Sequence, residues 1–343
     1  MKKRIAIGII AALAVVAIMA GYWAYNAVMK PNVVVDGQRE FSLYIPTGAS
    51  YEQVKDSLYS HQLIADSSSF EWWAESRNYP EHVKAGRYIL RDGMSNRQLC
   101  NILNGGLQTP VRVTFNNMRD IPMLAGRIGE QIEADSIEIV NYLNDPARMA
   151  ELGFTRLTIP SMFLPNTYEF YWNTSAAQFV ERMKKEYDSF WNSERLHKAK
   201  EIALSPVQVS TLASIVDKET NKTDEMARIA GVYLNRLRNG WLLQADPTLV
   251  FAVGDFNLKR VLNVHKEVES PYNTYKYPGL PPGPICIPSL ASINAVLNAE
   301  KHNYYYFCAK DDFSGYHVFA KTLTEHNRNA QRYQKALNRN KYY

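Results

Sequence analysis

The sequence lacks the residue patterns on which several common activities depend. Its seven histidines are scattered and its three cysteines lie far apart, so neither an HExxH motif nor a cysteine–histidine metal cluster is present. The glycine-rich phosphate loops GxxxxGK-S/T and GxGxxG are missing, as is the GxSxG turn of serine hydrolases. We therefore predict no metal site and no cofactor, which leaves carboxylate chemistry, a binding role, or a site that no common motif marks.

A strong net charge is also absent. The chain has 39 Lys and Arg against 34 Asp and Glu, a formal charge of +5. This charge is much smaller than that typical of a dedicated nucleic-acid-binding protein, and no RRM, zinc-finger or basic-zipper pattern occurs. Mild basicity suits an anionic polymer or surface instead. With so few cysteines, at most one disulfide is expected, so the core has to stabilise the fold.

The N-terminus carries the clearest feature that is present. A basic cluster, Lys2–Arg4, precedes the uncharged run Ile5–Tyr25, which is long enough to cross a bilayer. Basic residues before the run predict a cytoplasmic N-terminus and a remainder outside the cytoplasm. A cleaved signal peptide is the alternative, but the run is long for one and no small-x-small cleavage site follows it. We expect a retained single-pass anchor.

The rest of the chain reads as an α+β protein of two domains. After the anchor (1–29), we expect a short exposed linker over 30–40. Strand and helix patterns then alternate as strand, helix, helix, strand, helix, which predicts a small α+β module over 41–106. A connecting region (107–160) leads to a larger mixed α+β domain over 161–343.

Helix and loop signals organise this larger domain. Ser205 and Pro206 are typical of a helix start, and a second helix is expected over 224–238 with Thr223 as N-cap. Beyond Gly240 the chain is rich in loops. A helix over 289–299, a hairpin and a charged C-terminal helix follow.

One acidic residue has an unusual position in the first of these helices. Glu219 is the second-last residue of the stretch TLASIVDKET. On a helix it lies on the same face as three apolar residues, Leu212, Ile215 and Val216. The neighbours Asp217 and Lys218 are predicted to point elsewhere, towards solvent.

Two physical effects would raise the pKa of Glu219. An apolar surrounding disfavours its charge, and the C-terminal end of a helix is the negative end of the macrodipole. A carboxyl group that stays protonated near neutral pH is what a general acid requires for protonating a glycosidic oxygen. Neutralisation by Lys222 or Arg228 in a structural ion pair is the alternative, and spacing alone leaves both open.

The loops after this helix offer aromatic, amide and hydroxyl groups, which together bind sugars. Packing of the tyrosines and stiffening by the prolines are the plainer explanations. The groove residues that we predict are Gln244, Asp246, Thr248, Tyr272, Asn273, Thr274 and Tyr275, with Leu280, Pro281 and Pro282 shaping the wall.

Several ordered motifs resemble one known family. The stretches LASIVDKET, VYLNRL, LQADPT, YNTY and GLPPGPI follow one another as in the endolytic murein transglycosylases, the YceG-like proteins. FLPNTYEF upstream and YHVFAKTLTEHN near the C-terminus match as well. The resemblance covers nearly the whole chain, including the N-terminal anchor, and residues 41–106 resemble a LysM-like subdomain.

The resemblance implies an activity and a location. The family's catalytic acid is the Glu of its KET motif, which falls on Glu219. The implied reaction cleaves the β-1,4 bond between N-acetylmuramic acid and N-acetylglucosamine inside nascent glycan strands and leaves 1,6-anhydromuramoyl ends. The muramic 6-hydroxyl is then the nucleophile, so one carboxylate suffices. Anchoring in the bacterial inner membrane, a periplasmic catalytic domain and association with peptidoglycan synthases (penicillin-binding proteins) are also implied.

Two positions depart from the family pattern, and other functions remain open. The family often has Glu where this chain has Asp217, and Asp where it has Asn166. The second change leaves Glu169 as a weaker candidate for a supporting role, and His317 is a candidate at the rim of the groove. A non-catalytic, membrane-tethered peptidoglycan-binding scaffold is one alternative. A muramidase that uses Glu219 with Glu169 or Asp246 is the other.

Overall fold

The structure, a computed structural model, describes residues 2–35, 37, 39–258 and 260–340 and divides into two units. The first unit contains residues up to 113 together with 131–134 and 168–175. The second contains residues 114–130, 135–167 and 176 onwards. The domain boundaries drawn from the sequence at 106 and 160 remain predictions.

The first unit begins with a long apolar helix, α1 (Lys2–Met29). Its segment Lys3–Met29 is long and apolar enough to cross a membrane, and the side chains of its apolar run are exposed. An apolar helix of a soluble protein normally buries at least one face. The exposure of α1 therefore fits a helix that is solvated by lipid, and a signal sequence would have the same character.

The segment after α1 differs from the predicted exposed linker. Pro31 and Val33 form β-bridges with Ser95 and Ile64, and Val33 is only 2% exposed. Val35 is buried as well. The expectation of an exposed linker is wrong for this part, because the apolar valines alternate inwards and pack on the core that follows.

A small α+β module follows, with the predicted order of elements. Its strands and helices are β1 (Glu40–Ile45), α2 (Tyr51–Ser60), α3 (Ser67–Ser76), β2 (Gly86–Arg91) and α4 (Asn96–Gly105). The strands pair antiparallel, from Glu40 opposite Arg91 to Ile45 opposite Gly86.

Local sequence explains where the helices of this module begin and end. Ser50 and Ser95 cap α2 and α4, each in a capping box with the glutamine three residues later. Gly106 ends α4 in the left-handed conformation, with φ 66°. Alternate residues of β2, among them Tyr88 and Leu90, point into the core and are fully buried.

A second two-stranded sheet joins β3 (Val111–Phe115) and β4 (Asn166–Phe170). Three α-helices lie between them in sequence: α5 (Ile121–Gly129), α6 (Ser136–Asn144) and α7 (Pro146–Leu152). Helix α7 was not predicted from the sequence, although its signals are present. Asp145 caps it, Pro146 occupies its first turn and Gly153 ends it with φ 80°.

The remaining elements of the second unit include the hairpin expected near the C-terminus. They are α8 (Ala176–Phe190), α9 (Ser193–Glu201), α10 (Pro206–Glu219), α11 (Thr223–Arg238), α12 (Asp246–Val253), α13 (Leu290–Leu297), β5 (Tyr306–Ala309), β6 (His317–Ala320) and α14 (Leu323–Asn340). Strands β5 and β6 pair antiparallel, from Tyr306 opposite Ala320 to Ala309 opposite His317.

Helix α10 is buried on all sides rather than along one stripe. Nine consecutive residues, Val209–Asp217, are buried, and α9, α11, α12 and α13 pack around the helix. The prediction that Asp217 points to solvent is therefore wrong: its side chain accepts hydrogen bonds from Asn117 Nδ2 at 2.8 Å and Ser289 Oγ at 2.5 Å. The prediction for Lys218 is confirmed, since it is exposed.

Two further details differ from what the sequence predicts. Thr223 is the first residue of α11 rather than its N-cap, which is Lys222 without a side-chain hydrogen bond. The QADPT stretch is not a loop, because Asp246 opens α12 with Pro247 beside it in the first turn. Proline fits there since the first helical N–H groups have no partner within the helix.

Candidate active site

Glu219 is the last residue of α10, where the buried helix reaches the surface of its unit. The Ser205 cap and the apolar packing fix the helix, so the position of its last side chain is fixed too. Neither cation considered as an ion-pair partner contacts Glu219. Arg228 pairs with Glu300 at 2.9 Å, and Lys222 lies over the ring of Tyr316.

Tyr233 of α11 is the direct partner of Glu219. Its hydroxyl donates a hydrogen bond to Glu219 Oε1 at 2.5 Å, and the residue is 2% exposed. Burial and the adjacent Glu219 carboxylate raise the pKa of Tyr233, so it remains a donor at neutral pH. Within the described part of the chain, Glu219 Oε2 has no hydrogen-bond partner.

Arg236 lies one turn after Tyr233 and is buried without a carboxylate partner among the described residues. Its Nε donates to the carbonyl of Tyr305 at 2.7 Å, and its Nη1 donates to that of Leu243 at 2.7 Å. Burial lowers its pKa, although an arginine remains charged at neutral pH. Arg236 thus joins α11 to two loops and brings a positive charge close to Glu219.

Burial raises the pKa of Glu219 to about 7. The hydrogen bond from Tyr233 opposes this rise, the negative charge of Asp246 adds to it, and the positive charge of Arg236 opposes it. The raised pKa expected from the sequence is present, with burial as its largest cause. At neutral pH the carboxyl group can therefore both donate and accept a proton.

Asp246 and Tyr275 bring the two predicted loops together beside Glu219. The hydroxyl of Tyr275 donates to Asp246 Oδ1 at 2.5 Å. Gln244 precedes them with φ 51°, and its N–H donates to the carbonyl of Thr274 at 3.0 Å. Of the two cavities described next, Gln244 lines the smaller and Asp246 lines both.

Two cavities meet at Glu219 and Asp246, which line both. The larger has a volume of about 620 Å³ and is also lined by Arg119, Lys218 and Arg260. The smaller, about 330 Å³, has several aromatic side chains in its lining. Its lining residues include Tyr233, Arg236, Gln244, Tyr275, Tyr306, Phe307 and His326. In a polymer that occupied both cavities, the bond between two neighbouring units would lie beside the Glu219 carboxyl group.

Three predicted groove residues instead hold the loops in place. Thr248 and Thr274 are buried and their hydroxyls hydrogen-bond to each other at 2.8 Å. Asn273 is fully buried and donates to the carbonyls of Lys266 and Val268. The described contacts of these side chains are internal, so they support the site without lining its cavities.

The proline-rich stretch packs on the same loops. The ring of Tyr272 contacts that of Phe251 at 4.6 Å, and Pro281 is buried while Leu280 is partly exposed and Pro282 is exposed. Close packing explains the nearby Gly283, since a Cβ there would lie 2.0 Å from the carbonyl oxygen of Leu157. These residues shape the backbone around the site.

His317 and Glu169, two predicted site residues, line neither cavity. His317 Nδ1 is 3.0 Å from Glu225 Oε2, and its N–H donates to Glu225 Oε1. Glu225, expected only as a charge in the first turn of α11, is 5% exposed and connects that turn to β6. Glu169 is exposed on β4 and belongs to the first unit.

Sequence reasoning missed Tyr233, Arg236 and His326, although all three lie in motifs that it singled out. Tyr233 and Arg236 belong to VYLNRL, and His326 to YHVFAKTLTEHN. The spacing of Tyr233 and Arg236 on one helix face was the available signal. Within the described residues, no group of three His, Cys, Asp or Glu side chains could hold a metal ion.

Comparisons with known proteins identify similar sequences. The model of a family described as the YceG-like family matches residues 43–332. A Bacillus subtilis protein named endolytic murein transglycosylase is 28% identical over 332 residues, covering 92% of this chain and 91% of the relative. A Streptococcus pneumoniae serotype 2 protein of the same name is 26% identical over 341 residues. That match covers 90% of this chain but only 61% of the pneumococcal protein.

A solved structure is similar as well. The crystal structure of a YceG-like protein from Listeria monocytogenes aligns with a TM-score of 0.55 at 28% sequence identity. The alignment covers 85% of this chain and 99% of the Listeria chain.

Proposed function

Because the chain belongs to the YceG-like family, we propose that it is a membrane-anchored endolytic transglycosylase of peptidoglycan with Glu219 as its general acid and base. The names of the Bacillus and pneumococcal relatives support the activity. The observation that carries the assignment to Glu219 is its pKa of about 7 at the junction of two cavities.

The first step of the proposed reaction is protonation of the leaving group. Glu219 Oε2, which has no hydrogen-bond partner in the described part of the chain, gives its proton to the glycosidic oxygen, O4 of N-acetylglucosamine. The bond from this oxygen to C1 of N-acetylmuramic acid breaks, and positive charge develops at C1. Tyr233 holds the carboxyl group in place through Oε1 and stabilises the carboxylate that forms.

The second step closes a ring within the substrate. The 6-hydroxyl oxygen of the muramic residue attacks C1, and its proton passes to Glu219, which is restored to its starting form. The product ends in a 1,6-anhydromuramoyl residue, and no water is consumed. One carboxyl group with a pKa near the working pH serves both proton transfers.

A muramidase is the second candidate, and the position of Asp246 favours it over a non-catalytic scaffold. Asp246 lines both cavities with Glu219 and could stabilise C1 or orient a water molecule. A hydrolase of this kind needs a second carboxylate, which a lytic transglycosylase does not. The two reactions differ in product, because hydrolysis leaves a reducing muramic acid end.

Product analysis tests the proposal. The full-length protein is incubated with glycan strands, and the fragments are examined by mass spectrometry, with Glu219→Gln as the matched variant. Anhydro ends from the wild type and a loss of cleavage of about a thousandfold or more in the variant are expected. Reducing ends only would favour the muramidase, and full cleavage by Glu219→Gln would refute the assignment of the acid.

The remaining parts of the proposal concern location and partners. We infer that α1 anchors the chain in the bacterial inner membrane with the catalytic unit on the outer side, where peptidoglycan is made. The module of β1, β2 and α2–α4 would bind glycan as a LysM-like domain. An anchored enzyme reaches strands that emerge near the bilayer, which agrees with association with membrane-bound synthases.

A further inference from the structure

The larger cavity at Glu219 carries three cationic side chains that the proposed reaction does not use. They are Arg119, Lys218 and Arg260. Lys218 and Arg260 are exposed and have no carboxylate within salt-bridge distance among the described residues. Unpaired cations at the edge of a cavity raise the local concentration of anionic ligands.

Arg119 contributes both charge and a flat surface. Its guanidinium lies 4.6 Å from the centre of the Phe256 ring, and its Nε is 2.9 Å from Asp120. Since its side chain is 44% exposed, donors remain available to a ligand in the cavity.

The smaller cavity has a different character. Its cation, Arg236, is buried and donates to main-chain carbonyls, so its charge is held within the protein. Burial lowers the pKa of His326, which favours the neutral ring, and this ring stacks on Tyr306. The described lining of this cavity thus has aromatic faces and no exposed cation, which suits a neutral sugar.

The two sugars that alternate in peptidoglycan differ in charge, as the linings of the two cavities do. N-acetylglucosamine is neutral, whereas N-acetylmuramic acid carries a 3-O-lactyl group that ends in a carboxylate or in a stem peptide with carboxylates. We propose that the muramic residue occupies the larger cavity with this anionic substituent against Arg119, Lys218 and Arg260, while N-acetylglucosamine occupies the smaller one. The assignment rests on the proposed function and gives the glycan strand a direction across Glu219.

Size and polarity support this direction. The larger cavity has nearly twice the volume of the smaller, and the muramic residue with its substituent is the larger unit. Its apolar lining, which includes Pro247, Val250 and Phe251, suits a sugar face and the methyl groups of the lactyl and alanyl parts. The acid between the cavities then lies beside the bond from muramic C1 to O4.

A charge-removal experiment tests the proposal. The double variant Lys218→Gln/Arg260→Gln is compared with wild type on three substrates: peptide-bearing strands, peptide-free strands with lactyl carboxylates, and peptide-free strands whose lactyl carboxyls are converted to neutral amides. Exposed charge pairs contribute modestly to binding, so kcat/KM of the double variant on an anionic substrate should fall about fivefold to tenfold relative to its kcat/KM on the neutral one. The matched control is Lys185→Gln/Arg328→Gln, which removes two exposed cations that line neither cavity.

Each outcome has a defined meaning. A selective loss on peptide-bearing strands alone identifies the stem-peptide carboxylates, and a selective loss on the peptide-free anionic strands alone identifies the lactyl carboxylate. A selective loss on both anionic substrates shows that the cations bind either anion, and all three results support the proposal. An equal change on all three substrates, or the same change in the control variant, overturns it. If the wild type cleaved none of them, the proposed function itself would fail. Thermal unfolding of both double variants verifies that each one folds.

Discussion

At the residue scale, opposing effects determine the pKa of the Glu219 carboxyl group. Burial makes the charged form costly, and Asp246 adds to that cost, while Tyr233 and Arg236 favour the charge. The resulting pKa of about 7 is far from the usual value of a glutamate and close to the pH at which the enzyme is expected to work. A group with this pKa can give up a proton and regain it in one catalytic cycle.

The hydrogen bond from Tyr233 yields a prediction about pH dependence. Because this bond favours the carboxylate, Tyr233→Phe should raise the pKa of Glu219 further. The acid must be protonated for the first step, so kcat/KM in wild type should decline above about pH 7. In Tyr233→Phe this decline should move to higher pH, and the maximal rate should fall about tenfold. Rates measured from pH 5 to 9 test the shift.

Tyr306→Phe is the matched control for this pH profile. Tyr306 lines the same cavity, but its hydroxyl has no hydrogen-bond partner in the described part of the chain. The decline should keep its wild-type position in this variant, whatever the effect on rate. A profile of Tyr233→Phe that coincides with that of wild type would contradict the role of the hydrogen bond.

At the element scale, helix α10 is largely buried and carries Glu219 at its C-terminal end. Two of its polar residues pair with neighbouring elements: Ser214 Oγ accepts from the N–H of Ile285 at 3.0 Å, and Asp217 accepts from Asn117 and Ser289. Ser289 is also the N-cap of α13. Asp217 therefore joins the last turn of α10 to the first turn of α13.

Removing this junction should destabilise the protein. Asp217→Ala removes a buried carboxylate together with its hydrogen bonds from Asn117 and Ser289, so a loss of about 2 to 3 kcal/mol is expected. Urea unfolding of the purified protein measures the free energy of unfolding. Lys218→Ala, one residue on and exposed, should change stability by less than about 0.5 kcal/mol. Equal effects of the two substitutions would refute the structural role of Asp217.

At the scale of the whole molecule, α1 leads directly into the module of the first unit. Asn96 Nδ2 donates to the carbonyl of Ala27 at 2.8 Å, and Asn32 Nδ2 donates to Asn96 Oδ1 at 2.8 Å. Trp23 of α1 contacts Trp72 of α3, with ring centres 5.0 Å apart. These contacts join the end of the apolar helix to the module without a free linker.

This arrangement predicts a stable membrane association. The full-length protein should remain in the membrane pellet after alkaline carbonate extraction, and its intact mass should include residues 5–25. A charge in the apolar run, as in Leu13→Arg, costs about 3 kcal/mol in a membrane and should weaken the association, whereas Leu13→Ile should not. A mature protein that lacks this run would show that the segment is a cleaved signal sequence.

The sequence by itself determined the elements whose signals are local. Ser205 begins its helix as predicted, and Ser50, Ser95 and Ser205 each form a capping box with the glutamine three residues later. The apolar run of α1 and the order of the small module follow from composition and periodicity. The unusual position of Glu219 could also be predicted, because the helix face needs only residue spacing.

Only the tertiary structure decided which groups lie close to the Glu219 carboxyl group. Asp217 was misread because α10 is enclosed on every side, and a helical stripe cannot reveal what packs on the opposite face. Tyr233, Asp246 and Arg236 come from other elements, and their distances to Glu219 depend on how α10, α11 and α12 pack. The pKa of Glu219 depends on these contacts and on the exclusion of water, which sequence spacing alone does not determine.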